Sequence, residues 1–130
     1  MNQEIVEITP DQVVGACARK KAEGCRFVTM TCVALDEERL EVLYHFDRDF
    51  QLEHLRLTVS KDMLLHSVSD VYFAAFLVEN EIQDLFGLRF AGLAIDYRRT
   101  LYLDPEIVRS PFCKYAVKTE ANGPADPKLP

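Results

Sequence analysis

Three strand-like stretches, of which the last two alternate between the two faces, constrain the fold more than any other feature of the sequence. They cover residues 26–35, 40–46 and 51–59, and they are rich in β-branched and aromatic side chains. Short charged segments, residues 36–39 and 47–49, separate them and suit antiparallel hairpins. Because side chains in a strand point alternately to its two faces, this pattern predicts a three-stranded antiparallel meander with one buried face.

A helix is predicted before the meander. Thr9 offers an N-cap hydroxyl, Pro10 suits the first helical position, and Gln12 completes a capping box. Gly24 supplies the stop. This N-terminal helix carries an apolar stripe that can cover the buried face of the meander.

A second helix is predicted after the meander, from about Val71 to Phe86, with Gly87 as its C-cap. A short last strand is expected at Thr100–Leu103. The order of elements indicates an α+β fold with two layers, which contains an N-terminal helix, a three-stranded antiparallel meander, a second helix and a short C-terminal strand.

Length and charge limit the organisation and the partners. A chain of 130 residues is expected to form one domain, here residues 1–118, followed by a disordered polar tail at 119–130. The net charge of −6 argues against nucleic-acid binding, which needs a basic surface. The apolar runs are shorter than the ~20 residues that span a bilayer, and no signal peptide is recognised at the start. We therefore expect a cytoplasmic protein that reaches a membrane only through a partner.

The cysteines and histidines are spaced without a metal-binding or cluster-binding motif. The residues are Cys17, Cys25, Cys32, Cys113, His45, His54 and His66. His45 and His54 lie on neighbouring predicted strands, so they are either polar residues of the outer sheet face or a metal-binding pair. No glycine-rich phosphate loop is present either, so the sequence does not support nucleotide binding.

The segment 79–99 carries the most informative residues. Glu81 and Asp84 are three positions apart and share a helix face, and Arg98 and Arg99 follow a glycine-containing bend. Ion pairs between these groups would hold the loop 87–99 on the helix. Alternatively, the two carboxyl groups would act as general acid and base in a small enzyme.

The same segment resembles a known family signature, Glu-x-Glu-x-x-Asp-Leu-Phe-Gly-x-x-Phe-x-Gly followed by Arg-Arg. The pattern is similar to the C subunit of respiratory NADH:quinone oxidoreductase (complex I), whose family includes the small subunit of energy-converting nickel–iron hydrogenases. The matching residues are Glu79, Glu81, Asp84, Leu85, Phe86, Gly87, Phe90, Gly92, Arg98 and Arg99.

Two departures from the family pattern lie in this segment. Asn80 replaces the arginine of the usual Glu-Arg-Glu triplet, and the loop between Gly92 and Arg98 is one residue longer and lacks the histidine. Respiratory members also continue into a Gly-His-Pro motif that residues 111–115 do not match. These departures favour the shorter, hydrogenase-type branch.

The resemblance implies a noncatalytic structural subunit without a cofactor of its own. Its expected partners are the hydrogenase-like large subunit and the iron–sulfur subunits of the same complex, in the arm peripheral to the cytoplasmic membrane. Apolar residues at the start of the second helix suit such an interface, and Arg98 and Arg99 suit partner carboxylates. The candidate partner-binding or motif residues are Phe73, Phe76, Leu77, Glu79, Glu81, Asp84, Phe90, Arg98 and Arg99.

Two alternatives stay open at this point. One is the small acid–base enzyme that uses Glu81 and Asp84, and the other is a binding module unrelated to redox chemistry. The phenylalanines of the second helix also have a second interpretation, because an apolar helix stripe usually completes the domain's own core.

Overall fold

A computed structural model of the protein describes residues 4–101. The strands are β1 (Glu4–Glu7), β2 (Arg26–Ala34), β3 (Arg39–Arg48), β4 (Gln51–Ser60), β5 (Leu64–His66) and β6 (Arg89–Ala91), and the helices are α1 (Val13–Ala22) and α2 (Ala75–Phe86). The α+β class is therefore confirmed. The domain boundary at residue 118 stays a prediction, and the expected tail and Cys113 lie outside the described residues.

The predicted meander is present. β3 pairs antiparallel with β2 on one side and with β4 on the other. Val42, Tyr44 and Phe46 of β3 are fully buried, whereas the residues between them are partly exposed, as the alternation predicts. The core side of the meander packs against α1 and α2, which contribute Cys17 and Ile82 to the same apolar cluster.

The description of the sheet as a three-stranded meander is incomplete. β1 pairs in parallel with β4, with Val6 opposite Leu55, so the main sheet has four strands in the order β1-β4-β3-β2 and is mixed. β5 and β6 form a separate parallel pair. These short strands escaped prediction because three or four residues contain too little alternation to be distinguished from a loop.

The N-terminal helix begins as predicted, with a different first turn. Pro10–Gln12 form a turn of 3-10 helix that leads into α1, and the Thr9 amide donates to Gln12 Oε1 at 3.0 Å. After α1 ends, Gly24 has a φ of 87°, a left-handed conformation that favours glycine.

The second helix starts at Ala75, one turn later than the expected Val71. Contacts with α1 and the segment after it hold the preceding residues in a turn: Lys21 Nζ donates to the Val71 carbonyl at 2.8 Å, and Tyr72 Oη donates to the Cys25 carbonyl at 2.8 Å. The helix ends at Phe86, followed by Gly87 at φ 78° as predicted.

The expected strand at Thr100–Leu103 is not found within the described residues. Thr100 and Leu101 belong to no strand, and residues 102 and 103 are not described. The last described strand is instead β6, which pairs with β5.

Candidate partner-binding site

Apolar side chains are exposed at the start of α2. Phe73 is 61% exposed and Leu77 is 46% exposed, while Phe76 is half-buried. The rings of Phe73 and Phe76 lie with their centroids 4.9 Å apart. The interpretation that the phenylalanines complete the core is therefore wrong for Phe73.

The loop after β6 extends this apolar surface. Asn80 Nδ2 donates to the carbonyls of Phe76 at 2.8 Å and Ile95 at 2.7 Å, so the loop backbone lies directly beside the first turns of α2. The side chains of Ile95 and Tyr97 are 41% and 38% exposed. We call the surface formed by Phe73, Phe76, Leu77, Ile95 and Tyr97 the α2 patch.

Two amide side chains of α2 hold this loop. Asn80 Oδ1 accepts the Tyr97 amide at 2.8 Å, in addition to the two bonds that its Nδ2 donates. Gln83 Oε1 accepts the Phe90 amide at 3.0 Å, and its Nε2 donates to Asp96 Oδ1 at 3.1 Å. Both side chains are buried and link α2 to several separate points of the segment 90–97.

The residue pattern predicted that ion pairs of Glu81 and Asp84 with the two arginines hold this loop. The hydrogen bonds of Asn80 and Gln83 give these two amides the same role, and the ion pairs stay a prediction. The sequence signal was their spacing, because two amides three residues apart share a helix face and need hydrogen-bond partners when that face is buried.

Glu79 is fully buried and accepts two hydrogen bonds from the segment after β5. Ser67 Oγ donates to its Oε1 at 2.6 Å, and the Val68 amide donates to its Oε2 at 2.9 Å. Burial raises the pKa of the Glu79 carboxyl to about 7, although both hydrogen bonds act in the opposite direction. This candidate residue therefore joins α2 to its own domain.

A hydroxyl pair extends this connection to the loop. The Oγ atoms of Ser67 and Ser69 lie 2.7 Å apart, and the Ala94 amide donates to Ser69 Oγ at 2.9 Å. Because hydroxyl groups both donate and accept, this short chain remains bonded whether the Glu79 carboxyl is charged or protonated.

The remaining candidates occupy different environments. Asp84 is fully buried, Glu81 is half-buried and Phe90 belongs to the core at 4% exposed. Arg98 is exposed and Arg99 is half-buried, and both have left-handed backbones, with φ values of 53° and 64°. Arg99 Nε donates to the Gln83 carbonyl at 3.4 Å, while Asp96 Oδ1 accepts the Arg98 amide at 2.7 Å.

The two histidines are cross-strand neighbours on the outer face of the sheet. His45 is directly opposite His54, and their Nδ1 atoms lie 2.7 Å apart. His45 Nε2 also lies 2.7 Å from Thr31 Oγ1. Burial and the adjacent imidazole lower the pKa of His45. The two rings and the Thr31 hydroxyl are thus joined by hydrogen bonds.

One cluster of potential metal ligands was not anticipated. The ligand atoms of Glu23, Cys25 and Glu53 lie within 4.8 Å of one another. Glu53 is already paired with Lys20 at 2.6 Å and with Arg48 at 3.4 Å. Burial and the Glu53 carboxylate raise the pKa of the Cys25 thiol, which disfavours the thiolate that metals bind. The arrangement suits ion pairing better than metal binding.

A groove of about 530 Å³ lies between the start of the chain and the neighbouring strands. Glu7, Glu41, Arg56 and Thr58 are among its polar lining residues. Arg56 spans it and pairs with Glu7 at 2.5 Å. Glu81 and Asp84 do not line this groove, so it gives no support to acid–base chemistry by those two carboxyl groups. Within residues 4–101, neither helix has the length and apolarity required to cross a bilayer.

Comparison with known proteins gives consistent matches. The chain is 35% identical over 109 residues to the C subunit of NADH-quinone oxidoreductase from Roseobacter denitrificans, covering 77% of this chain and 54% of the relative. It is also 35% identical over 104 residues to the protein of the same name in Ruegeria pomeroyi, covering 74% of this chain and 52% of the relative. The chain thus spans about half the length of these curated relatives.

A solved structure shares the fold. A chain in the structure of the membrane-bound sulfane sulfur reductase, an archaeal respiratory membrane complex, superposes with a TM-score of 0.65 at 21% identity. The match covers 81% of this chain and 67% of that chain. Residues 6–121 match the family model described as respiratory-chain NADH dehydrogenase, 30 Kd subunit. The chain therefore belongs to the family of the 30 Kd subunit of respiratory-chain NADH dehydrogenase.

Proposed function

We propose that the chain is a noncatalytic structural and assembly subunit of a membrane-associated oxidoreductase complex, of the NADH:quinone oxidoreductase or energy-converting hydrogenase type. It docks through the α2 patch on the hydrogenase-like large subunit, and it lies beside the iron–sulfur subunits at the cytoplasmic side of the membrane. Family membership and the names of the relatives support a role within such a complex.

The α2 patch is the observation that carries this proposal. Contiguous exposed apolar surfaces on soluble domains mark contacts with other molecules, and aromatic residues are enriched at the centres of protein interfaces. The patch is also rigid, because Asn80 and Gln83 fix the loop that supplies Ile95 and Tyr97. A rigid apolar surface loses little conformational entropy on binding and therefore suits a permanent interface.

Arg98 adds a charged contact beside the patch. Its backbone is left-handed, and the bond from its amide to Asp96 holds that turn. The side chain is exposed, so its planar guanidinium can form two parallel hydrogen bonds with a partner carboxylate. Arg99 has a different role, because its contact with the Gln83 carbonyl is part of the fixation of the loop.

Co-purification tests the proposal. The tagged chain is co-expressed with the other subunits of its complex, and the amount of large subunit recovered per tagged chain is measured. Leu77→Asp introduces a charge into the centre of the α2 patch, and we expect recovery to fall at least tenfold, since a charge buried in an apolar interface without a partner is strongly unfavourable.

Leu35→Asp is the matched control. Leu35 is 44% exposed, nearly as much as Leu77, and it lies in the turn between β2 and β3. This variant should assemble like wild type, and circular dichroism should show that both variants fold. Equal recovery of the large subunit by the two variants would contradict docking through the α2 patch.

A further inference from the structure

A single phenylalanine forms the tip of the hairpin between β3 and β4. Phe50 is 95% exposed, more than any other large apolar residue among residues 4–101. It lies in a two-residue turn with Asp49, flanked by the paired residues Arg48 and Gln51. The side chain therefore projects from the domain with almost no contact to it.

The backbone of this turn is strained by its sequence. Asp49 and Phe50 have φ values of 52° and 64°, the arrangement of a type I′ turn, in which asparagine and glycine are strongly preferred. A bulky aromatic residue in the left-handed region is an outlier. The paired strands on either side impose this turn, but Phe50 gains no core contact from it, and such strain is typical of functional positions.

The hairpin that carries Phe50 is firmly held. Arg26 and Asp47 pair across β2 and β3 at 2.7 Å, and Glu53 on β4 binds Lys20 of α1 at 2.6 Å. Arg48 also pairs with Glu53, at 3.4 Å. These charges are balanced within the domain close to the tip. The β3–β4 hairpin thus holds the Phe50 ring in a fixed position, and the charged side chains near the ring are paired with one another.

We propose that Phe50 is an anchor that inserts into an apolar pocket on a neighbouring protein subunit of the complex, as a second contact separate from the α2 patch. The inference rests on the proposed function for the existence of that complex. A convex, isolated ring requires a concave partner site, and buried aromatic anchors contribute a large share of the binding energy at protein interfaces.

A protein pocket fits these observations better than a lipid surface. Attachment to an anionic membrane depends on clustered basic residues, whereas the basic residues near the tip, Arg26, Arg48 and Lys20, are all paired with acidic groups. A single exposed ring without such a cluster gives little membrane affinity.

Two glycine variants separate the ring from the strain. Phe50→Gly removes the ring and relieves the left-handed strain, whereas Asp49→Gly relieves strain at the adjacent position and keeps the ring. We expect both variants to match or exceed the wild-type Tm, by up to about 4 °C. In the co-purification assay, Phe50→Gly should recover at least tenfold less of the subunit that Phe50 contacts, and Asp49→Gly should behave like wild type.

A photo-crosslinking residue at position 50 of the full chain in its assembled complex identifies the contact. We expect one product with another protein subunit, and no such product from the same residue at position 37, in the turn at the opposite end of β3. Products with lipid or with a second copy of this chain would overturn the proposal, as would unimpaired assembly of Phe50→Gly. If the wild-type chain recovers no other subunit, the proposed function fails together with this proposal. If only Phe50→Gly assembles normally, this proposal alone fails.

Discussion

Replacement of Glu79 by glutamine tests whether the buried carboxyl group controls how stability depends on pH. The folded protein holds the Glu79 proton with a pKa of about 7, against 4.5 for the free side chain, because burial disfavours the charged form. Between these two pH values the folded state binds more protons than the unfolded state. The stabilisation linked to this proton is therefore complete below pH 4.5 and is lost as the pH rises through about 7.

The magnitude follows from the difference in pKa. This difference in pKa corresponds to about 3 kcal/mol, most of which is lost between pH 5 and pH 8. Glutamine cannot ionise, so the Glu79→Gln variant lacks this loss. Its free energy of unfolding minus that of wild type should therefore be about 2–3 kcal/mol higher at pH 8 than at pH 5.

Urea denaturation of wild type and variant at the two pH values measures this double difference. Any change in hydrogen bonding to Ser67 and Val68 that is independent of pH cancels in the comparison. Glu37→Gln removes the same charge from an exposed turn and should follow the wild-type pH dependence. Parallel curves for wild type and Glu79→Gln would refute the reasoning, because they would mean that Glu79 has the same proton affinity in the folded and unfolded states.

Two further substitutions test the buried polar groups. Asn80→Ala removes two hydrogen bonds to the loop and one to the first turn of α2, so the free energy of unfolding should fall by about 2–3 kcal/mol. Hydrogen exchange at the Tyr97 amide should become faster, and unchanged exchange would show that other contacts hold the loop. Tyr44→Phe removes a buried hydroxyl for which no partner is found among the described residues. Thermal unfolding should show that the free energy of unfolding increases by about 1 kcal/mol, and a clear decrease would indicate a hydrogen-bonded hydroxyl.

The sequence was informative where structure is local and periodic. The alternation around Tyr44 predicted the meander and its buried face, and the residues around Thr9 and Gly87 predicted the start of the first helix and the end of the second. These signals depend on neighbours within a few positions. The start of α2 was misplaced because Lys21, far away in the sequence, binds the Val71 carbonyl.

The candidate site was less predictable because its bonds are tertiary. Asn80 was recognised only as a departure from the family triplet, yet it fixes the loop that contains the other departure, the extra residue before Arg98. Its partners are backbone atoms of Ile95 and Tyr97, whose positions depend on the path of the chain after β6. No spacing rule relates a helix amide to carbonyl and amide groups 15 and 17 residues later.

The parallel pairing of β1 with β4 sets an order in which the main sheet forms. Glu4 is opposite Glu53, whereas the antiparallel hairpins join strands that are adjacent in the chain. Local hairpins close rapidly, while a contact between distant residues must overcome a larger loop-closure entropy. On a ribosome, the first strand therefore remains without its partner until the third hairpin strand has been synthesised. We therefore expect β1 to join the edge of the main sheet after the two hairpins have formed.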